Sequence, residues 1–206
     1  MFRYYPTWKR FLDIFVSITG IFLFSPVLVI IAVWIKLDSP GPLLFWQKRV
    51  GINKSTFNMM KFRTMRIDAP KDVATHLLEN PEAYITVSGR FLRRTSLDEL
   101  PQLFHILLGQ MSVVGPRPAL WNQFDLIELR DLYGANHLPP GLTGWAQIHG
   151  RDENDIETKA KLDGYYARHI SFMMDAKCFL RTFLKVLKSE GYVEGQVASK
   201  TKQSHE

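Results

Sequence analysis

Gly89–Pro118 reads GRFLRRTSLDELPQLFHILLGQMSVVGPRP, and the fold turns on how this stretch is understood. It sets two adjacent carboxylates, Asp98 and Glu99, between Arg93-Arg94 and the Arg117 of a Gly-Pro-Arg-Pro turn. Leu100, Leu103, Phe104, Leu107 and Leu108 recur at three- and four-residue steps, the apolar stripe of a short amphipathic helix. Gly109 stands where a helix C-cap belongs. Such a helix begins at the carboxylates, with its orphan N–H groups and positive dipole end pointing at them. Acids, arginines and a helix N-terminus together make a site for phosphate and a divalent cation. Ser96-Leu97-Asp98-Glu99 also fits a capping box, with Ser96 as N-cap. Pro101 then lies past the first turn and costs a backbone bond, so a cap at Leu97 or Asp98 suits it better. Spacing alone supports capping and chemistry equally.

Outward from this stretch, composition narrows the possibilities. A chain of 206 residues supports one sizeable core. A net charge of +6 points to an anionic partner, whether nucleic acid, phosphorylated substrate or lipid surface. The single cysteine, Cys178, excludes an internal disulfide and, within an apolar helical stripe, reads as a buried structural thiol. The six histidines lack zinc-site spacing.

Upstream, Lys9 and Arg10 lead into Phe11–Leu37, which carries no charge from Ile14 to Ile35. That length crosses a bilayer core of roughly 30 Å. No small-residue cleavage site follows, which argues against a removable signal. Pro26, after Ser25, predicts a sharp kink. Lys36, Lys48 and Arg49 follow the segment, so both flanks are basic. One-sided basic charge marks a crossing helix, and two basic flanks suit a helix that dips into one leaflet and returns. An ordinary kinked span is the alternative.

Asp38–Pro42 is a turn out of the membrane. Leu43–Trp46 and Phe57–Met65 are strand-like, and on an extended strand Lys61 and Arg63 share a face. Arg66–Gly89 reads as a loop with a short helix around His76–Asn80. Downstream, Trp121–Tyr133 and Asp155–Arg168 have helical patterns, and Asn136–Gly144 is a turn around Pro139-Pro140-Gly141. Ile170–Lys188 has an apolar face through Phe172, Met173, Phe179, Leu180, Phe183 and Leu184. Lys177, Arg181, Lys185 and Lys188 form the opposite one. Such a helix fits the plane of an anionic membrane, or equally a helix packed on the core with a solvated back.

SLDELPQLF followed by GQMSVVGPRP, with KFRTM upstream and PGLTGWAQIHGRDE downstream, resembles the bacterial sugar transferase family from about Lys9 to about Lys188. Its members are monotopic polyprenyl-phosphate phosphoglycosyl transferases. The resemblance implies a helix-rich α+β fold. Residues 1–38 would form a re-entrant membrane helix hairpin broken at Ser25-Pro26. Residues 39–190 would form a catalytic domain on the cytoplasmic face of the inner membrane, followed by a disordered tail over 191–206. It further implies transfer of a sugar-1-phosphate from a UDP-sugar to polyprenyl phosphate, with release of UMP.

Carried over by position, Asp98 is the nucleophile that forms an acyl-phosphate, already ionised at an ordinary pKa of about 3.9. Glu99 is the main Mg2+ ligand, with Asp98 contributing. Arg93 and Arg117 hold phosphate oxygens. Lys61, Arg63, Gln147, Arg151 and Asp163 complete the candidate substrate-binding set. The second class of function is a membrane-tethered nucleic-acid-binding module or a non-catalytic scaffold. No RNP-like or helix-turn-helix signature supports nucleic acid as a partner, and the intact Asp98-Glu99 pair speaks against a scaffold.

Overall fold

A computed structural model describes residues 5–70, 80–150 and 154–187 of the chain. The helix expected around His76–Asn80, the tail over 191–206, and Arg151 among the site candidates lie wholly or mostly outside the described residues.

The apolar N-terminal segment forms one helix, α1 (Thr7–Asp38), with Pro26 inside it. Ser25 Oγ donates to Phe22 O at 2.8 Å, satisfying a carbonyl in the turn before the proline. At 1.5 Å per residue it extends about 48 Å, and it is long and apolar enough to cross a membrane. The expected break at Ser25-Pro26 thus lies within a single helical segment.

A stripe of α1 is buried against the domain: Lys9, Asp13, Ser17, Ile31 and Ile35, at helical spacing. Around it, Phe11, Phe15, Ile18, Phe22, Leu23, Val29, Ile30, Val33 and Leu37 stand exposed. Both ends of the helix are tied to the domain. Near its start, Lys9 Nζ meets Asp175 Oδ2 at 2.5 Å. Arg10 donates to the carbonyls of Ile106 and Leu107 at 2.6 and 2.7 Å. Near its finish, Asp38 Oδ2 accepts from Ser88 N and Oγ at 2.9 and 2.7 Å.

Strands β1 (Leu44–Val50) and β2 (Thr56–Phe62) form an antiparallel hairpin that pairs Phe45 with Lys61, Gln47 with Met59 and Arg49 with Phe57. Residues directly opposite share a face, so Lys61, Gln47 and Arg49 lie on one side of the hairpin. Then follow α2 (Val87–Thr95), α3 (Gln102–Leu107) and the short strand β3 (Ser112–Val114). β3 pairs in parallel with β4 (Gly141–Thr143), a strand inside the segment read from sequence as a turn alone. Between them lies α4 (Phe124–Leu132), and α5 (Trp145–Ile148), α6 (Ile156–Arg168) and α7 (Phe172–Leu187) follow.

The main core joins Leu103, Ile106, Met111, Val113, Val114, Tyr166, Ile170 and Cys178, with Val16 and Ile21 of α1 packed against it. A second cluster joins Ile31 and Ile35 of α1 to Phe62 and Leu92. Cys178 is fully buried, and burial, with Asp175 nearby, pushes its thiol up to about 12. It is the structural thiol expected.

Helix α7 has two apolar sides. Met174 and Cys178 face the core, while Phe172, Met173, Phe179, Leu180, Phe183 and Leu184 are 47–74% exposed. The same holds on α3, where Leu103 and Ile106 are buried but Phe104 and Leu108 are exposed. An outward apolar face of this extent marks contact with lipid or another apolar partner.

Candidate active site

The carboxylates do not begin a helix, as their sequence register implied. α2 ends at Thr95, and Ser96 adopts a left-handed conformation (φ 56°) as its C-cap; its side chain makes no N-cap bond. Leu97–Glu99 is a single 3-10 turn, and α3 starts only at Gln102, after Pro101. The proline decides this: it cannot donate within a helix, so the chain makes a tight turn first. Gly109, with φ 83°, occupies the left-handed position after α3, as its place in the sequence implied.

That turn holds Asp98 inward, at 6% exposure, with Glu99 half-buried beside it. Three elements bring cations to the pair. From α2, Arg93 donates through Nε to Thr64 Oγ1 at 2.9 Å. α2 comes this close because its Gly89 lies over Thr64, where a Cβ would stand 2.0 Å from the Thr64 carbonyl oxygen. From the Gly115–Pro118 turn, Arg117 Nη2 bonds Glu99 Oε1 at 2.9 Å. From the hairpin face come Lys61, whose Nζ lies 5.6 Å from the Phe45 ring centre, and Arg49.

The charges are mismatched in kind. Burial, then the neighbouring Glu99, raise the Asp98 carboxyl to about 6, against the lowering pull of Lys61, Arg93 and Arg117. The nucleophile expected at an ordinary pKa is thus a raised one, because it is desolvated. Burial also brings the Lys61 ammonium down to about 8. Arg49 is drawn down to about 10 by burial and by the like charge of Arg117, with Glu99 opposing. All three remain charged at neutral pH. Four cationic side chains (Lys61, Arg49, Arg93, Arg117) therefore act on two carboxylates, a surplus suited to a polyanion.

Arg63 and Asp163 stand apart from this cluster. Strand β2 ends at Phe62, so Arg63 does not share the face of Lys61. Its guanidinium donates to the carbonyls of Pro42, Pro40 and Ser39 at 2.6, 2.9 and 2.9 Å, organising the turn after α1. Asp163, 1% exposed, accepts from Arg130 Nε and Nη2 at 2.9 and 2.6 Å, joining α6 to α4. Its acidity is spent on that pairing, and its geometry is that of a structural ion pair.

Gln147 on α5 donates to Leu142 O at 3.1 Å, and its buried Oε1 has no partner among the described residues. It lies by Gly144, which contacts Gly115 of the Arg117-bearing turn, so an unused acceptor borders that turn.

Reading the sequence missed Arg49. The run Gln47–Gly51 registered only as basic, whereas strand alternation from Lys61 across the hairpin places Arg49 on the same face.

Among the described residues no cluster of three or more His, Cys, Asp or Glu could cage a metal ion. Two hard carboxylates nevertheless fit Mg2+, which keeps waters and takes one or two protein carboxylates together with substrate phosphates.

A sequence profile of the family described as "Bacterial sugar transferase" matches residues 4–189. The chain is 41% identical over 184 residues to the UDP-glucose:undecaprenyl-phosphate glucose-1-phosphate transferase of Escherichia coli (strain K12), covering 86% of this chain and 39% of that protein. It is 37% identical over 192 residues to the UDP-N-acetylgalactosamine-undecaprenyl-phosphate N-acetylgalactosaminephosphotransferase of Aeromonas hydrophila, covering 89% of this chain and 44% of that protein. To the exopolysaccharide production protein PSS of Rhizobium leguminosarum bv. phaseoli it is 40% identical over 191 residues, covering 87% of this chain and 94% of that protein. It thus spans less than half the length of the first two relatives and nearly all of the third.

Proposed function

The chain belongs to the bacterial sugar transferase family, and from that premise we propose that it transfers a sugar-1-phosphate from a UDP-sugar to polyprenyl phosphate. The observation that carries this reading is the buried Asp98 set among more cations than carboxylates. A soluble diphosphate and a phosphate-headed lipid are both polyanions, and both find charge to match here.

The chemistry balances in two steps. An Asp98 carboxylate oxygen attacks the sugar-bearing phosphorus, the phosphoanhydride bond breaks, and UMP leaves with the electron pair. The polyprenyl phosphate oxygen then attacks the same phosphorus, and Asp98 departs as a free carboxylate. With a raised pKa of about 6, Asp98 is ionised at neutral pH and needs no general base. Lys61, Arg93 and Arg117 reduce the repulsion between carboxylate and diphosphate. Glu99 and Asp98 would hold Mg2+, which would supply further charge neutralisation and a better leaving group.

A site serving both substrates belongs at headgroup depth on the cytoplasmic face of the inner membrane. The exposed apolar faces of α1, α3 and α7 support such a seat. The docking of both ends of α1 on one domain supports a helix that leaves the bilayer on the side it enters. Lys9 lies against Asp175 at one end and Asp38 against Ser88 at the other. Labels near residue 6 and near residue 70 should both be protected from a periplasmic reagent; labelling of the first alone would refute the monotopic arrangement.

The activity test is direct. Full-length protein in nanodiscs, given Mg2+, polyprenyl phosphate and UDP-glucose or UDP-N-acetylgalactosamine, should release UMP. Without the lipid it should release one equivalent and retain a phosphosugar detectable by intact mass. Turnover with no adduct would replace the covalent route by direct attack of the lipid phosphate, and absence of UMP from a broad UDP-sugar panel would overturn the transferase reading.

A further inference from the structure

Arg49 is the one cation of the site that neither the sequence motifs nor the transfer chemistry above employs. Its Nη1 donates to Pro118 O at 3.0 Å and its Nη2 to Gln47 Oε1 at 2.5 Å. Its Nε is buried and has no hydrogen-bond partner among the described residues. The strand that carries it is stitched to the same turn: Val50 N donates to Ala119 O at 3.0 Å, and Arg49 forms an isolated bridge with Leu120. One residue before Pro118 is Arg117, which grips Glu99.

Two guanidiniums are thus held near each other although their charges repel, and one keeps a buried donor unused. A purely structural clasp between strand and turn does not require this. Backbone bonds already join them, and a neutral donor would serve the Pro118 carbonyl without electrostatic strain. What a guanidinium adds is a planar fork that fixes two acceptors at a set angle.

We infer that Arg49 is a positioning residue of the transferase site, holding the Pro118 carbonyl so that the adjoining Arg117 is set on Glu99 and on the incoming phosphates. The inference rests on the proposed function for its kinetic readout, and on the turn itself for a second one. Arg49 acts through Arg117, so their effects must be coupled rather than independent.

The test compares Arg49→Lys, Arg117→Lys and the double variant in nanodiscs, by UMP release and by hydrogen exchange of peptides covering residues 115–120. Lysine keeps the charge of Arg49 but cannot hold both acceptors. Turnover in Arg49→Lys should fall by about 10²-fold, the scale of a misplacement near 1 Å, with KM for the UDP-sugar changed less than about threefold. The double variant should be little slower than the slower single variant. Amides of the turn should exchange faster in Arg49→Lys than in wild type.

Multiplicative losses, or a rise in KM with kcat intact, would overturn the inference, the latter by making Arg49 a direct substrate contact. If wild type itself releases no UMP, the transferase reading fails, and with it the kinetic half of the inference; exchange still tests the hold on the turn, which unchanged protection of 115–120 refutes and increased exchange upholds. Should Arg49→Lys not fold, Gln47→Met removes one acceptor and leaves the charge. It must show the same coupling to Arg117 at smaller size, and additive losses there would equally overturn the inference.

Discussion

Asp98 and Asp163 are both buried aspartates, and burial pushes the acidity of both in the same direction. Their surroundings differ. Asp163 faces one guanidinium, bound through two nitrogens, so charge and geometry are matched one to one. Asp98 lies next to a second carboxylate and among Lys61, Arg93 and Arg117, and among the described residues it accepts no hydrogen bond from any of them. A matched pair is complete without a ligand, whereas the Asp98 cluster has charge left over. Burial and a perturbed pKa do not by themselves mark a reacting group; unmatched partners do.

The comparison can be broken most decisively by removing each acid. Asp98→Asn should cost at least about 10⁴-fold in UMP release, as expected for loss of a nucleophile, and should leave no adduct. Its thermal stability at pH 7 should equal or exceed that of wild type, since an amide has no charge to desolvate. Turnover within tenfold of wild type would erase the distinction.

Asp163→Asn should do the reverse. Leaving Arg130 buried and uncompensated should cost roughly 3–5 kcal/mol in unfolding free energy. Folded Asp163→Asn protein should retain most of its turnover. The pair Arg130→Met with Asp163→Leu sharpens this further: apolar replacement of both should recover most of the lost stability. A folded Asp163 variant that binds UDP-sugar tenfold more weakly would return Asp163 to the substrate site.

Proton dependence provides a finer contrast. The free enzyme needs Asp98 ionised and Lys61 protonated, so kcat/KM should rise with a limb near pH 6 and fall with one near pH 8. Lys61→Arg should remove the upper limb and leave the lower one in place. A lower limb near pH 4 would mean that Asp98 is solvated in the working enzyme.

The smallest effect is on stability. A carboxyl whose folded pKa is raised from 3.8 to about 6 binds its proton more tightly when folded. Its contribution is full below about pH 4 and is lost as pH rises through 6. The melting temperature of wild type relative to Asp98→Asn should therefore decline between pH 4 and 6. A flat difference across that interval would contradict the desolvation of Asp98.

Much of this cluster was legible in the chain. Arg93, Asp98, Glu99 and Arg117 occur within one stretch, and short separations survive folding. Lys61 followed from the family resemblance of KFRTM, since its strand alone fitted a solvated edge as well. Arg63 did not, because alternation places it with Lys61 only if the strand continues, and the strand stops at Phe62 where the guanidinium finds three carbonyls. The pairing of Asp163 was not legible, because a buried aspartate in an aromatic-rich helix looks the same in sequence whether or not an arginine 33 residues away meets it. The helix patterns held, but their apolar stripes did not say what they face. Phe104 and Leu108 are as apolar as Leu103 and Ile106, yet only the latter pair enters the core. Periodicity records aversion to water, and a lipid-facing side satisfies it as well as a protein interior does.

Asp13 of α1 has a consequence for how the chain is made. Its Oδ1 accepts from Val113 N at 2.8 Å and from Ser112 Oγ at 3.1 Å, and Tyr5 reaches its other oxygen. A residue of the apolar helix α1 thus completes the hydrogen bonding of β3, the strand that leads into the Arg117 turn. During synthesis, that strand would lack its acceptor until the rest of the domain has closed over α1. Completion of the strand before the Arg117 turn is thereby made conditional on the docking of α1. Chain in which α1 stays undocked would carry an incomplete strand beside the Asp98 cluster.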